Sequence, residues 1–284
     1  MDDRPQMLYR GMNRAALDAA YDNTTAVGIE KRNGYVADWL ERSQALCQSW
    51  NPQLDIGYGE RERQRLDVFS CGRRAAPTLV FIHGGYWQMN NKEPFGFIGE
   101  SLLPSGFNLI LVEYTLAPDA RMDDIVAEIR MAIDWSIVHA STYGGDAERI
   151  FVAGHSAGGH LTAIMMSDVR VAGGIPISGI FDLEPIRLNY LNEKLSLDED
   201  ESLRHSPLGH IPDTAAPAII AVGGGELPEL IRQSADYFAA WRAAGLAAEY
   251  LVLGSHDHFS VLETLAQRDG QLFRMLLACA GIDE

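Results

Sequence analysis

The chain has 284 residues, 47% of them apolar, enough to fill the core of one large domain. Its formal net charge of −16, from 39 acids against 23 bases, argues against nucleic acid or an anionic membrane surface as partner. Three scattered cysteines (Cys47, Cys71, Cys279), a polar start at Met1-Asp2-Asp3-Arg4-Pro5 and no apolar run near the ~18 residues of a membrane span together predict a cytoplasmic protein. They give no sign of a disulfide framework, metal site or leader peptide.

Residues 1–50 read as a helical arm, with Leu17 and Tyr21 at i,i+4 and with Val36, Trp39, Leu40, Leu46 and Trp50 near helical spacing. This arm either packs on the main domain or partly covers the mouth of a site. Residues 65–69 alternate like a strand, and 77–82 and 108–112 are continuous apolar runs, as in strands covered on both faces. A helix is predicted over 122–143, with Ile125, Ile129, Ile133 and Ile137 on one stripe. Strands follow at 150–153, 171–177, 218–222 and 249–253, with helices after residue 158, over 228–244 and over 260–280. Residues 183–213 are acidic and lack strand periodicity, and are read as a small cap inserted over the site. Alternating strands and helices predict a single α/β domain over 1–284, with a mostly parallel sheet covered on both faces. Ligands of such sheets lie beyond the carboxyl ends of the strands, so the reactive residues are sought just after strands.

Gly154-His155-Ser156-Ala157-Gly158 is such a place, a G-x-S-x-G pentapeptide with an apolar strand before it and a helix after it. A serine on a sharp strand-to-helix turn has its hydroxyl pushed out of the sheet, and the amide of the next residue points at the same spot. Ser156 is the candidate nucleophile. It needs a base to take its proton and an acid to orient that base, in the chain order Ser, Asp or Glu, His.

Among eight histidines, His205, His210 and the pair His256/His258 lie well beyond the elbow. The pair follows the last strand. His258 is preferred to His256 because it adjoins the last helix, which fixes it better. For the acid, Glu226 follows the penultimate strand and a glycine turn, and Asp182, after the strand before that, is the alternative. Glu229 reads as a first-turn helix acid and Asp182 also as a turn or helix cap.

His83-Gly84-Gly85-Tyr86-Trp87 follows the strand ending at Ile82, where backbone N–H groups can meet a developing oxyanion. The expected donors are the amides of Gly85, Tyr86 and Ala157, with Gly84 as the alternative. His83 reads as a residue holding this loop, and His155 and His160 as packing residues. Tyr86 and Trp87 either wall an aromatic substrate pocket or fill the core beneath the loop, and Phe259 beside His258 is a further pocket candidate.

These residues, together with Ser178-Gly179-Ile180-Phe181-Asp182-Leu183-Glu184-Pro185, Arg232-Gln233-Ser234 and Asp257-His258-Phe259, resemble the kynurenine formamidase (arylformamidase) branch of the α/β-hydrolase fold. Tyr114-Thr115-Leu116-Ala117-Pro118 is similar to a stretch of the hormone-sensitive-lipase-like esterases. The resemblance covers about residues 60–280. It implies a Ser-acid-His triad on Ser156, Glu226 and His258, with glutamate where the family commonly has aspartate. It also implies cleavage of N-formyl groups from aryl formamides, or of small esters. The expected enzyme is a serine hydrolase acting through an acyl-enzyme on a small-molecule amide or ester, with a general short-chain carboxylesterase as the rival reading. No cofactor or metal is called for, no nucleic acid or membrane partner is expected, and a homodimer is allowed.

Overall fold

A computed structural model describes residues 6–282, so the polar start at Met1 to Pro5 lies outside the described residues. Among the described residues the sheet has eight strands: β1 (Gln53–Gly57), β2 (Arg65–Phe69), β3 (Ala76–Ile82), β4 (Asn108–Val112), β5 (Gly145–His155), β6 (Gly173–Ile177), β7 (Ala218–Gly223) and β8 (Ala248–Leu253). Their order is β1-β2-β4-β3-β5-β6-β7-β8. β1 and β2 pair antiparallel, as do β2 and β4, and every pairing from β4 to β8 is parallel. The continuous apolar runs occupy the middle: β3 and β4 are buried throughout. A strand sends successive side chains to opposite faces, and the core divides accordingly. Val80, Ile82, Ile110, Val112 and Val152 belong to one cluster, and Leu79, Phe81, Leu109, Leu111 and Phe151 to another.

Twelve α-helices in chain order, α1 (Arg14–Ala19), α2 (Asn23–Val27), α3 (Ile29–Trp50), α4 (Gly99–Ser105), α5 (Met122–Val138), α6 (Ala157–Met165), α7 (Glu184–Arg187), α8 (Asn192–Leu195), α9 (Glu199–Arg204), α10 (Pro228–Ala243), α11 (Glu263–Ala266) and α12 (Gln271–Cys279), surround this sheet among the described residues. α5 and α6 pack on the Val80 face; α3, α4 and α12 supply apolar side chains to the Phe81 face. The arm reaches both faces, since Leu17 and Tyr21 join the first cluster, and Trp39 and Leu46 the second. None of the described helices is long and apolar enough to cross a membrane.

Several local expectations are corrected. Residues 260–280 do not form one helix: a 3-10 turn at Ser260–Leu262 and α11 end at Gln267, whose backbone is extended, and α12 restarts after Gly270. A Cβ on Gly270 would stand 2.1 Å from the Thr264 carbonyl oxygen, so the chain turns where only glycine fits. β1, α2, α4 and the 3-10 segment Glu93–Ile98 are elements that periodicity did not reveal. Residues 183–213 fold as α7, α8, α9 and a 3-10 turn at Pro207–Gly209. Leu191, Leu195 and Leu197 of this segment are drawn into the core cluster that holds α5 and α6.

Candidate active site

Ser156 lies between β5 and α6 with φ 59° and ψ −117°, a left-handed conformation that costs a non-glycine residue about 1–3 kcal/mol. The turn is tight because β3 runs alongside it: a Cβ on Gly158 would stand 2.0 Å from the Ile82 carbonyl oxygen. The amide of Ser156 is tied to the Ile177 carbonyl at 2.8 Å, which fixes the turn to β6. Ser156 itself is 3% exposed, and that exposure opens into a pocket whose walls also include His155 and His258.

His258 follows β8, in the loop before the Ser260 turn. Its Nδ1 stands 2.6 Å from Glu226 Oε2, which leaves Nε2 as the ring nitrogen free to exchange a proton. Glu226 is held from the other side: its Oε1 accepts the Ser178 hydroxyl at 2.5 Å and the Gly223 amide at 2.7 Å. Three donors thus converge on one buried carboxylate, an arrangement that fixes its rotamer and satisfies its lone pairs. Asp182 is elsewhere. It accepts the Tyr9 hydroxyl at 2.7 Å and the Glu184 amide at 3.0 Å, a turn role, and makes no bond to His258. His256 Nδ1 is near the Ser260 hydroxyl, at 3.3 Å, and stays outside the pocket.

The loop after β3 wraps the other side of Ser156. The amides of Gly85, Tyr86 and Ala157 have no hydrogen-bond partner among the described residues. Gly85, Tyr86 and Trp87 all have positive φ, at 115°, 50° and 57°, which turns this loop away from the strand direction. His83 anchors it: Nδ1 is 2.8 Å from the Gly84 carbonyl and Nε2 is 3.1 Å from Glu113, while Tyr114 donates to the His83 carbonyl at 3.0 Å. Glu113 also accepts from Arg63 and from the Lys92 amide. Burial would raise its pKa, but these donors hold it below the usual value.

Tyr86 and Phe259 line the pocket; Trp87 does not. The turn directs the Trp87 ring inward, where it is fully buried and stands edge-on to His160 at 5.0 Å, so its expected place in the pocket wall is corrected to a core position. The Tyr86 hydroxyl donates to the Tyr21 carbonyl at 2.6 Å and accepts from Asn23 at 2.9 Å, so the arm grips the loop. The arm lines the pocket as well, through Asn23, Thr24, Arg32, Val36 and Trp39, and 183–213 contributes nothing to the lining. The arm, and not 183–213, thus supplies residues to the pocket wall. The space inside the pocket amounts to about 630 Å³ when the solvent at its open mouth is included.

Three contributors were missed in sequence. Ser178 follows β6 at the same carboxyl-end station as the candidate acids, which was a usable signal. Trp39 and Arg32 had none, since helical spacing marks a face but not what it faces.

A mostly parallel eight-stranded sheet with a strand–serine–helix elbow and reactive side chains at the strand ends defines the chain as a hydrolase of the α/β-hydrolase fold. A family model described as BD-FAE matches residues 66–171. A kynurenine formamidase of Danio rerio is 34% identical over 256 residues, 85% of each chain. A solved structure from Silicibacter sp. TM1040, described as a candidate thioesterase, has a TM-score of 0.83 at 29% identity and covers 92% of this chain and 98% of its own. An esterase of Pyrobaculum calidifontis shares the fold at a TM-score of 0.68 and 20% identity, with 86% of this chain and 91% of its own covered. The chain belongs to the kynurenine formamidase family.

Proposed function

We propose that this hydrolase removes a small acyl group, formyl or acetyl, from an aromatic amine or alcohol, with aryl formamides of the N-formylkynurenine type as its best substrates. Ser156 is the nucleophile, His258 the base and Glu226 the acid that orients it. Ser156 Oγ attacks the acyl carbon while its proton passes to His258 Nε2. The carbonyl oxygen becomes an oxyanion held by the amides of Gly85, Tyr86 and Ala157. The intermediate collapses as His258 protonates the leaving amine or alcohol. Water, deprotonated by His258, then attacks the acyl-enzyme and releases the acid and Ser156.

One observation carries this reading: the strained Ser156 opens into the pocket that holds His258, whose Nδ1 bonds Glu226 at 2.6 Å. Aromatic walls at Trp39, Tyr86, Phe95 and Phe259 support an aryl leaving group. Rates on an N-formyl arylamine and on p-nitrophenyl acetate, with Ser156→Ala as the blank, test it. A formamide rate above the ester rate and abolished by Ser156→Ala is expected. Ester turnover far exceeding formamide turnover would make the protein a short-chain carboxylesterase, and a fully active Ser156→Ala would remove the nucleophile assignment.

A further inference from the structure

β5 ends at His155, immediately before Ser156. The His155 ring reaches the loop that carries His258. Its Nε2 is 2.6 Å from the main-chain carbonyl oxygen of His258, and the two ring centroids are 4.5 Å apart. A carbonyl oxygen only accepts, so Nε2 of His155 bears the hydrogen. Burial pushes this imidazole well below its ordinary value, with His258 acting in the same sense, so the ring is a neutral donor.

Among the described residues, the main chain of His258 makes no other hydrogen bond. The loop on either side is tied down through Asp257, which accepts from the Phe259 and Ser260 amides and pairs with Lys31. His258 itself is therefore fixed at two points, the ring by Glu226 and the backbone by His155. The backbone of His155 reaches the oxyanion loop as well: a Cβ on Gly84 would stand 2.6 Å from the His155 carbonyl oxygen. One residue thus touches the candidate base, adjoins the candidate nucleophile and abuts the oxyanion loop.

We infer that His155 is a positioning residue, whose Nε2–H sets the distance and aim of the His258 imidazole relative to Ser156. This rests on the assignment of Ser156, Glu226 and His258 above. The physical ground is that proton transfer tolerates little misplacement, a 1 Å error costing roughly 10²-fold, while one main-chain hydrogen bond contributes little to global stability. The residue in the x position before the serine then does more than fill space.

The test compares His155→Phe, which keeps a ring without a donor, with His155→Gln, whose side-chain N–H can meet the same carbonyl. The readouts are kcat and KM on p-nitrophenyl acetate, the rate of Ser156 labelling by a fluorophosphonate, and thermal unfolding. In His155→Phe we expect kcat and labelling to fall together by about 10²-fold, with KM within about threefold. In His155→Gln we expect about tenfold of that loss to be recovered. Should the Phe ring not be accommodated, His155→Leu, smaller and equally without a donor, takes its place. Equal losses in the donor and donor-less variants would overturn the proposal and leave a packing role, as would a donor-less variant with unchanged kcat. A fully active Ser156→Ala would instead sink the nucleophile assignment beneath it.

Discussion

Glu226 and His258 are 32 residues apart in the chain, yet Oε2 of one lies 2.6 Å from Nδ1 of the other. The second oxygen is occupied by Ser178 and Gly223. The glutamate side chain spans the distance between these donors and the imidazole.

Glu226→Gln keeps the shape but turns one oxygen into a donor, which cannot pair with the Nδ1–H tautomer. We expect kcat to fall by about 10³–10⁴-fold, with Ser156 still present for labelling at a reduced rate. Asp182→Asn, in the same assay, should change kcat less than about threefold, because Asp182 serves Tyr9 and the Glu184 amide. A dead Asp182→Asn and an active Glu226→Gln would reverse the assignment.

Trp39 is 2% exposed, stacks on Phe97 at 5.0 Å, and donates from Nε1 to Glu263 at 2.7 Å, while its ring also lines the pocket. Trp39→Ala should lose about 3–5 kcal/mol in urea unfolding and raise KM for aryl substrates. Trp39→Phe should lose clearly less on both counts. A Trp39→Ala variant as stable as the parent would show that the arm is not part of the cooperative fold.

Arg32 brings a positive charge to the pocket lining, and among the described residues that line it none is a carboxylate. Among the described residues its guanidinium makes no salt bridge, and its one side-chain hydrogen bond is to the Asn33 side-chain oxygen at 3.0 Å. In a chain of net charge −16, an unanswered cation at the site favours substrates bearing an anionic group. Aryl formamides with a carboxylate should show a higher kcat/KM than their methyl esters at low salt, and Arg32→Gln should narrow that ratio mainly through KM. A ratio indifferent to the substitution would exclude Arg32 from substrate selection.

His160 is fully buried, and burial pushes its imidazole down to about 3. Its Nε2 donates to the His205 carbonyl at 2.7 Å. Above about pH 6.5 the ring is neutral in the folded and unfolded chains alike and adds no pH dependence. Below that, the unfolded chain takes up a proton that the folded chain refuses, so stability falls with pH by about 1.4 kcal/mol per unit until the folded ring titrates. His155 acts in the same direction. The unfolding free energy measured from pH 7.5 to 5 should therefore decline less steeply in His160→Phe than in the parent. Identical slopes would mean that His160 takes up its proton over the same pH range in the folded and unfolded chains.

The central strands were legible because Val, Ile and Leu runs at 77–82 and 108–112 leave no face for water, but their order in the sheet was not. Nor was β1, because Gln53, Leu54, Asp55 and Gly57 are exposed on an edge and carry no apolar pattern. Ser156, Glu226 and His258 could be read as stations at strand ends, since a parallel sheet brings those ends to one rim. Rotation of side chains about that rim could not be read. Tyr86 and Trp87 are neighbours, and two positive φ angles send one to the pocket and the other to the core.

Sequence by itself determined the central strands, the main helices beside them and which residues stand at the strand ends, because periodicity and glycine placement are local consequences of backbone sterics. Only the tertiary structure decided that Glu226, not Asp182, meets His258, that Ser178 and His155 brace them, and that the arm rather than 183–213 walls the pocket. Those are meetings between segments distant in the chain, set by how the two sheet faces are filled, and no local pattern encodes which surfaces will touch.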